Sequence, residues 1–215
     1  MTAENYIIAM TSRVGSTWLT RLLEANGCLK PREYFNLSNS YPGHTVKVRA
    51  GWILEHQPIG VKCNCRQLVR YLPHMGEGFF DRCRFLWLRR REIWRQAISE
   101  YVSSVTGISH IAIDDDYRHP EIPYDAEQIH AAAINCLASN EAWRMWFFQR
   151  DIQPTEIFYE ELVENPAFTL KRAIRGIGRP VPKEVAIVEP FARTKIPAAD
   201  QWCERLLDTY GDLST

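Results

Sequence analysis

The most constraining feature of this sequence is a short apolar run that leads through a Gly-containing turn into an amphipathic segment. Residues 6–10 are apolar and include two isoleucines, which predicts a buried strand. Between residues 18 and 23, Trp and Leu recur on one face of a 3.6-residue period, which predicts a helix ending at Gly27. A turn between such elements directs unpaired N–H groups and the helix dipole at one point. Residues 11–17 are therefore predicted to bind an anion.

The same alternation of apolar runs and helix-period stripes continues along the chain. The predicted strands are 59–62, 84–88 and 155–159, and the predicted helices are 91–104, 125–150 and a segment that Asn165 and Pro166 open and Gly176 or Gly178 ends. Two segments, 31–60 and 105–124, are predicted to be mostly loop. Because strands and helices alternate without a linker or repeat, residues 1–215 are predicted to form one α/β domain with a mostly parallel central sheet flanked by helices.

The charges of the chain are balanced, with 26 Lys and Arg against 26 Asp and Glu. This balance gives no support to a nucleic-acid or membrane-surface role, so an anion site must come from local placement of basic residues. No apolar run approaches the ~20 residues of a spanning helix, and the acidic run at 114–116 is interpreted as a solvated loop. Scattered thiols indicate reduced cysteines in a cytoplasmic protein; these are Cys28, Cys63, Cys65, Cys83, Cys136 and Cys203.

The predicted anion loop contains residue types suited to phosphate or sulfate. Arg13 adds a fixed charge with forked donors, and Gly15 lets the backbone approach a ligand. Ser16 and Thr17 add hydroxyl donors at the helix start. The loop has no glycine before Gly15 and no Lys before Ser16, so it is not a Walker A loop and a magnesium-ATP enzyme is disfavoured. Taken alone, it is equally compatible with a plain helix N-terminus capped by Ser and Thr.

Further segments resemble the motifs of one family. Arg90 follows the strand at 84–88 and precedes Ser99 by nine residues, the spacing with which sulfotransferases that use 3′-phosphoadenosine 5′-phosphosulfate (PAPS) bind the 3′-phosphate. Other similar segments are KPREYF at 30–35, WRMWF at 143–147 and FYEELVENP at 158–166. Together with the loop they resemble the PAPS sulfotransferase superfamily, most closely its bacterial trehalose 2-sulfotransferase family, and imply a P-loop-like sulfotransferase fold. Val14 replaces a Ser of that family, and Arg91 replaces a common Pro.

The resemblance implies a role for each candidate site residue. Glu33 is implied as the general base for the acceptor hydroxyl, provided that burial raises its pKa toward neutrality. Lys62 is implied to contact sulfate or acceptor, Arg13 to stabilise charge on the leaving oxygen, and no metal is required. The implied donor-binding residues are Arg13, Val14, Gly15, Ser16, Thr17 and Trp18 for the phosphosulfate, Arg90 and Ser99 for the 3′-phosphate, Tyr159 near the adenine and Arg193 in a C-terminal phosphate loop.

The acceptor and the base stay open at the level of sequence. The family implies a small-molecule acceptor, a sugar or glycolipid, and a homodimer. The alternative bases are His44, His56 and His74, and a solvated basic pair is the alternative for Arg193 and Lys195. The aromatic residues Tyr34, Phe35, Tyr41 and Trp52 are suited to stacking on a sugar or holding an apolar alcohol. The alternative functions are a non-catalytic module that binds PAP, the desulfated donor, and a P-loop kinase-like phosphotransferase.

Overall fold

The fold is built on one parallel β-sheet. The computed structural model describes residues 5–76, 78–108, 121–189 and 198–213. Within them, four strands pair in parallel in the order β2-β1-β3-β4. They are β1 (Tyr6–Met10), β2 (Gly60–Cys63), β3 (Arg84–Arg89) and β4 (Thr155–Phe158). The predicted α/β class with a mostly parallel sheet flanked by helices is confirmed.

Helices flank the sheet and supply the crossover connections that parallel strands require. They are α1 (Ser16–Ala25), α2 (Val46–Glu55), α3 (Cys65–Tyr71), α4 (Ile93–Thr106), α5 (Ala126–Gln149), α6 (Tyr159–Glu164), α7 (Pro166–Gly176) and α8 (Ala199–Tyr210), with 3₁₀ turns at Leu72–His74 and Phe80–Arg82. The predicted helices at 91–104 and 125–150 correspond to α4 and α5 within two residues at each end. None of the described helices is long and apolar enough to cross a membrane.

One local prediction is incomplete and another is wrong. The segment 31–60 is mostly loop as predicted, but it also contains α2, which Thr45 caps by accepting a hydrogen bond from the Val48 N–H at 3.3 Å. One of the buried positions of α2 is the charged residue Arg49, so the helix lacks a continuous apolar stripe that would reveal it. Tyr159, predicted to end the last strand, instead opens α6 directly after β4.

The predicted helix starts at 125 and 165 are confirmed by their caps. Asp125 accepts a hydrogen bond from the Gln128 N–H at 3.0 Å at the start of α5. The reciprocal bond runs from the Gln128 side chain to the Asp125 carboxylate. Asn165 accepts from the Phe168 N–H at 3.1 Å, with Pro166 as the first residue of α7. These caps satisfy N–H groups that have no partner inside the helix.

Each face of the sheet buries an apolar core, because side chains alternate between the two faces along a strand. Ile7 and Trp87 belong to the core that α2, α3 and α5 cover, whereas Ile8 and Leu86 belong to the core that α1 and α7 cover. A third cluster joins α4, α5 and α8. Burial of each large side chain stabilises the fold by ~1.5–3 kcal/mol. Packing in these two cores, one on each face of the sheet, fixes the positions of the four strands and of their ends. All six cysteines lie in the described residues, and none forms a disulfide.

Candidate active site

The carboxyl ends of the four strands bring most of the candidate site residues to one edge of the sheet. The 11–15 loop leaves β1, and Lys62 of β2 pairs in register with Ile8 of β1. Arg90 directly follows β3, and Tyr159 directly follows β4. Ligands of open parallel sheets bind at this edge, in the crevice between the loops. Residues from four distant parts of the sequence therefore surround one place.

The loop after β1 turns sharply before α1 begins. Arg13 and Gly15 both have left-handed backbone conformations, with φ angles of 61° and 79°. A left-handed Arg is uncommon and indicates a backbone held in place by its surroundings. The N–H groups of Trp18 and Leu19 donate to the Gly15 carbonyl at 3.1 and 3.2 Å, and no side chain caps the helix. The N–H groups that precede Trp18 are the donors that such a helix start offers to an anion.

Tyr159 packs directly against Gly15. A Cβ atom at Gly15 would lie 2.5 Å from Cδ2 of Tyr159, so no larger residue fits there. The missing side chain of Gly15 thus makes room for this ring, in addition to permitting the left-handed backbone. The Tyr159 ring centroid also lies 4.9 Å from Cζ of Arg90, within the range of a cation–π contact. Tyr159 therefore connects the loop to the residue that follows β3.

Two buried side chains that the sequence did not single out as site residues hold the start of the loop. Gln96 of α4 donates from Nε2 to Thr11 Oγ1 at 2.7 Å and to the Ser12 carbonyl at 2.6 Å. Trp143 of α5 donates from Nε1 to the Met10 carbonyl at 3.0 Å. Trp143 is fully buried and so also belongs to the core of the protein. The sequence offered no signal for Gln96, because at 100° per residue this position lies outside the apolar stripe of α4.

Arg13 and Arg90 form a cationic pair beside the loop. Arg13 donates from Nε to Ser99 Oγ at 2.9 Å, which joins two predicted donor-binding residues. Burial lowers the pKa of Arg13, the nearby Glu100 raises it, and Arg90 lowers it again. Burial likewise lowers the pKa of Arg90. A bound anion would stabilise the charged forms of both guanidinium groups, which burial disfavours, and would reduce the repulsion between them.

The carboxylates near Arg90 lie farther from it than from its neighbour Arg91. The Nε of Arg90 lies 3.8 Å from Glu160, too far for a hydrogen bond, and has no hydrogen-bond partner among the described residues. Glu160 instead accepts from the backbone N–H of Arg91 at 3.1 Å, which fixes the turn after β3. The Arg91 side chain pairs with Glu161 at 2.5 Å. Arg91 thus has a structural partner at the position where the family commonly has Pro.

Glu33 and Lys62 meet at the end of β2. The backbone N–H of Arg32 donates to the Gly60 carbonyl at 3.1 Å, and the Lys62 N–H donates to the Arg32 carbonyl at 2.9 Å. This bridge brings Glu33 beside the strand, where its Oε1 lies 3.1 Å from Lys62 Nζ. The Glu33 side chain is 29% exposed and that of Lys62 only 11%. The pair is therefore half-buried and still reachable from solvent.

The pKa of Glu33 is lower than the sequence led us to expect. Burial raises the pKa, as predicted, but the charge and hydrogen bond of Lys62 oppose it. Hydrogen bonds from Asn36 Nδ2 at 3.3 Å and Asn39 Nδ2 at 3.5 Å to Oε2 add to this effect. The net pKa lies below the ordinary value for Glu. The condition attached to its role as base, a pKa raised toward neutrality, is therefore not met by these contacts alone.

The remaining candidates lie in other surroundings. Val14 is fully buried, and Trp18 donates its indole N–H to the Val188 carbonyl at 2.8 Å, so both contribute packing. The alternative bases His44, His56 and His74 are all exposed. Arg193 and Lys195, like the acidic run 114–116, lie outside the described residues. Over the described ranges, no group of three or more His, Cys, Asp or Glu residues could hold a metal ion.

Among the aromatic candidates near Glu33, Phe35 is separated from the other three. It is fully buried and stacks on Tyr71, with ring centroids 4.4 Å apart. Tyr34, Tyr41 and Trp52 are partly exposed and form one cluster. The Tyr34 ring centroid lies 4.8 Å from that of Tyr41 and 5.4 Å from that of Trp52. This cluster, and not Phe35, is the surface that a ligand can reach.

The parallel sheet of the described residues, with an arginine-bearing loop that lacks the Walker A motif at its carboxyl edge, defines an α/β fold flanked by helices. The chain belongs to the Stf0 sulphotransferase family, whose model matches residues 73–208. This match includes Arg90, Ser99 and Tyr159, whereas Arg13 and Glu33 precede it. None of the curated proteins compared with the chain matches it. Membership of the family assigns the protein to the sulfotransferases and confirms the resemblance.

Proposed function

We propose that the protein transfers the sulfuryl group of PAPS to a hydroxyl group of a carbohydrate acceptor and releases PAP. The observation that carries this proposal is the 2.9 Å hydrogen bond from Arg13 Nε to Ser99 Oγ. It joins the anion loop to the residue implied for the 3′-phosphate, so two anion-binding groups stand side by side. PAPS has anionic groups at both the 5′ and the 3′ position of its ribose and suits such a site. Family membership supports sulfuryl transfer.

In the proposed complex the two ends of the donor use different parts of the site. The loop N–H groups, with Gly15, Ser16 and Thr17, bind the phosphosulfate. Arg90 and Ser99 bind the 3′-phosphate, which satisfies the unpartnered Nε of Arg90. Tyr159 packs against Gly15 of the loop and against Arg90, so it lies beside both parts of the donor site. Its place near the adenine stays a prediction. The role of Arg193 rests on the resemblance alone.

The proposed reaction is an in-line displacement at sulfur. The acceptor oxygen forms a new S–O bond while the S–O bond to the 5′-phosphate breaks, and its electron pair leaves with PAP. The hydroxyl proton passes to the Glu33 carboxylate. Arg13 and the loop N–H groups stabilise the charge that develops on the leaving oxygen, and Lys62 stabilises the sulfuryl oxygens. This scheme requires no metal ion.

The ion pair between Glu33 and Lys62 explains how a carboxylate with a low pKa becomes the base. Lys62 holds the pKa of Glu33 down through its charge and its hydrogen bond. When sulfuryl oxygens attract the Lys62 ammonium group, its hold on Glu33 weakens. The pKa of Glu33 then rises, because burial remains as the dominant influence on it. Donor binding thereby makes Glu33 a stronger base at the moment when a base is needed.

The acceptor is proposed to be a sugar because of the aromatic cluster that follows Glu33 in the chain. Tyr34, Tyr41 and Trp52 present partly exposed rings, and two of them have polar hydroxyl groups. Such rings pack against the C–H face of a sugar while their polar ends bind its hydroxyl groups. A purely apolar alcohol would leave these polar ends without a partner. A small sugar or the head of a glycolipid therefore fits this surface best.

A homodimer is part of the proposal as well. Ile134, Met145 and Phe148 of α5 are 47%, 45% and 81% exposed, and their spacing places them along one face of the helix. Exposed apolar side chains on one helix face, here with the exposed Glu141 among them, are suited to burial against a second copy of the chain. Sedimentation equilibrium of the purified protein tests this directly, with Phe148→Glu expected to shift a dimer toward monomer.

The central experiment is a transfer assay with ³⁵S-labelled PAPS against sugars, glycolipids and simple alcohols. We expect label on at least one sugar or glycolipid, together with release of PAP. PAP binding without transfer to any acceptor would favour the non-catalytic module. Magnesium-dependent turnover of ATP would favour the kinase-like alternative. Transfer to apolar alcohols alone would refute the carbohydrate part of the proposal and leave sulfuryl transfer standing.

A further inference from the structure

A buried arginine organises the loop that follows Glu33. Arg49 of α2 is 1% exposed, although its side chain is charged. Its guanidinium group donates five hydrogen bonds, all to backbone carbonyls of the segment 34–43. The acceptors are the carbonyls of Tyr34 at 3.3 Å, Asn36 at 2.6 Å, Asn39 at 3.0 Å, Tyr41 at 3.1 Å and Gly43 at 3.0 Å. A single side chain therefore holds five backbone carbonyls of the 34–43 loop in place.

Only arginine has the shape for this task. A guanidinium group has five N–H donors in a planar fork, and here those donors meet carbonyls from five positions of one loop. A lysine has the same charge but only three donors on one nitrogen, so it cannot reach all five. The acceptors are neutral, so the geometry of the fork, and not a countercharge, sets the shape of the loop. Gly43 closes the loop against the backbone of Arg49, where a Cβ atom would lie 2.7 Å from its nitrogen.

Two residues connect this fork to the Glu33 carboxylate. Asn36 accepts from Arg49 through its backbone carbonyl and donates from its side chain to Glu33 Oε2 at 3.3 Å. Asn39 does the same, with its side chain 3.5 Å from the same oxygen. The two amides that orient Glu33 therefore stand on a backbone that Arg49 holds. On the other side, the ionisable groups that interact with Glu33 are Lys62 and Cys63 of β2, within the described part of the chain.

We propose that Arg49 is a positioning residue for the reaction: through the backbone of Asn36 and Asn39 it fixes the side-chain amides that aim the Glu33 carboxylate at the acceptor hydroxyl. This inference rests on the proposed function, because it takes Glu33 as the base. It assigns to the 34–43 loop a role that no motif indicated. The loop also contains Tyr34 and Tyr41, so the same fork sets the aromatic cluster relative to the base.

The test uses Arg49→Lys, which keeps the charge and removes the fork. Arg66→Lys, on the exposed face of α3, is the matched control. Transfer is expected to fall about 100-fold in kcat, because displacement of a catalytic group by ~1 Å costs this much. The KM for PAPS should stay within a few-fold of wild type. The acid limb of the pH–rate profile should move to higher pH, because Glu33 loses the amide hydrogen bonds that help to lower its pKa.

A measurement without turnover separates this inference from the proposed function. Carboxyl ¹³C NMR follows the titration of Glu33 directly, with Glu33→Gln to assign its resonance. A higher pKa in Arg49→Lys than in wild type is the expected result, even if wild type transfers sulfate to no acceptor, in which case only the proposed function fails. An unchanged pKa and an unchanged kcat in folded Arg49→Lys would overturn the inference.

A second variant covers the case in which Arg49→Lys does not fold. Replacing Asn36 and Asn39 together by Ala leaves their backbone carbonyls available to Arg49 and removes the two amides, together with the exposed hydrogen bond from the Ser38 N–H to Asn36 Oδ1 at 3.1 Å. This double variant must raise the pKa of Glu33 and lower kcat while the thermal unfolding temperature stays close to that of wild type. If Glu33 titrates as in wild type after the loss of both amides, the connection from Arg49 to the carboxylate does not exist.

Discussion

Lys62 Nζ lies 3.1 Å from Glu33 Oε1 at the carboxyl end of β2. Neither residue is close to the other in sequence, and the bridge between Arg32 and Val61 is what brings them together. A half-buried ion pair of this kind opposes the rise in pKa that burial alone would give to a carboxyl group. The pair therefore decides how the candidate base behaves, and its two members are the first targets for mutation.

Replacement of Glu33 by Gln should abolish transfer and spare donor binding. The amide keeps the size of the side chain but cannot accept the hydroxyl proton, so kcat should fall ~10²–10⁴-fold. The affinity for PAP, measured by calorimetry, should stay within a few-fold, because Glu33 is assigned to the acceptor hydroxyl and not to the donor. Glu55→Gln, at the exposed end of α2, is the control. Wild-type activity in Glu33→Gln would mean that another group is the base.

Replacement of Lys62 by Met should raise the pKa of Glu33. Without the ammonium group, burial dominates, and the acid limb of the pH–rate profile should move to higher pH. The lowered pKa also stabilises the fold above the ordinary Glu value of ~4.3, and this contribution disappears as the pH falls through the native pKa. The variant should therefore be less stable than wild type at neutral pH and equal to it in acid. The exposed Lys47→Met is the control; identical pH profiles would contradict the role of Lys62.

Much of the fold was predictable because its signals are local. The apolar run of β1 and the stripe of α1 lie within 20 residues of each other, and the caps at Asp125 and Asn165 act over three residues. The helix α2 was missed because its apolar face is interrupted by Arg49, whose partners are backbone carbonyls. A pattern of side chains contains no information on backbone acceptors contributed by another segment.

The site was predictable residue by residue but not as an arrangement. Motif spacing indicated Arg13 and Ser99 separately, yet the hydrogen bond between them depends on how α4 packs beside the loop. Gln96 was missed for the same reason, since its two acceptors are 84 and 85 residues away in sequence. The condition that burial raises the pKa of Glu33 toward neutrality is not met, because Lys62, Asn36 and Asn39 reach the carboxylate only in the folded chain.

Replacement of Arg90 by Ala should weaken PAP binding ~10–100-fold, since hydrogen bonds to a charged group contribute ~1.5–3 kcal/mol. Adenosine 5′-phosphate, which lacks the 3′-phosphate, provides the control ligand. The affinity for adenosine 5′-phosphate should change little. The ratio of the affinity for PAP to that for adenosine 5′-phosphate should therefore become smaller. Calorimetric titration of both nucleotides measures this preference. An equal loss for both ligands would assign Arg90 to the structure of the loop and not to the 3′-phosphate.

Replacement of Gly15 by Ala should destabilise the fold by ~1–3 kcal/mol, because φ is 79° and the new methyl group would meet the Tyr159 ring. The double variant with Tyr159→Ala removes the clash but keeps the backbone strain. Urea unfolding should therefore show a smaller penalty for Gly15→Ala in the Tyr159→Ala background than in wild type. Gly51→Ala in α2, where the new methyl group meets nothing within 4 Å, should be neutral or stabilising. Equal penalties in both backgrounds would show that the ring contact has no influence.

Replacement of Gln96 by Met should weaken donor binding more than it destabilises the fold. The thioether has a similar length but cannot donate, so the Thr11 hydroxyl and the Ser12 carbonyl both lose a donor, at about 1 kcal/mol each. The same change removes Gln96 Oε1, which is buried without a partner, and so offsets part of that loss. The start of the loop then loses its two hydrogen bonds from Gln96, whereas Arg13 keeps its bond to Ser99 of α4 and Trp143 keeps its bond to the Met10 carbonyl. PAP affinity, measured by calorimetry, should fall roughly tenfold in Gln96→Met. The control Gln149→Met, on the exposed end of α5, should leave PAP affinity unchanged. Unaltered PAP affinity in Gln96→Met would mean that the loop keeps its shape without this side chain.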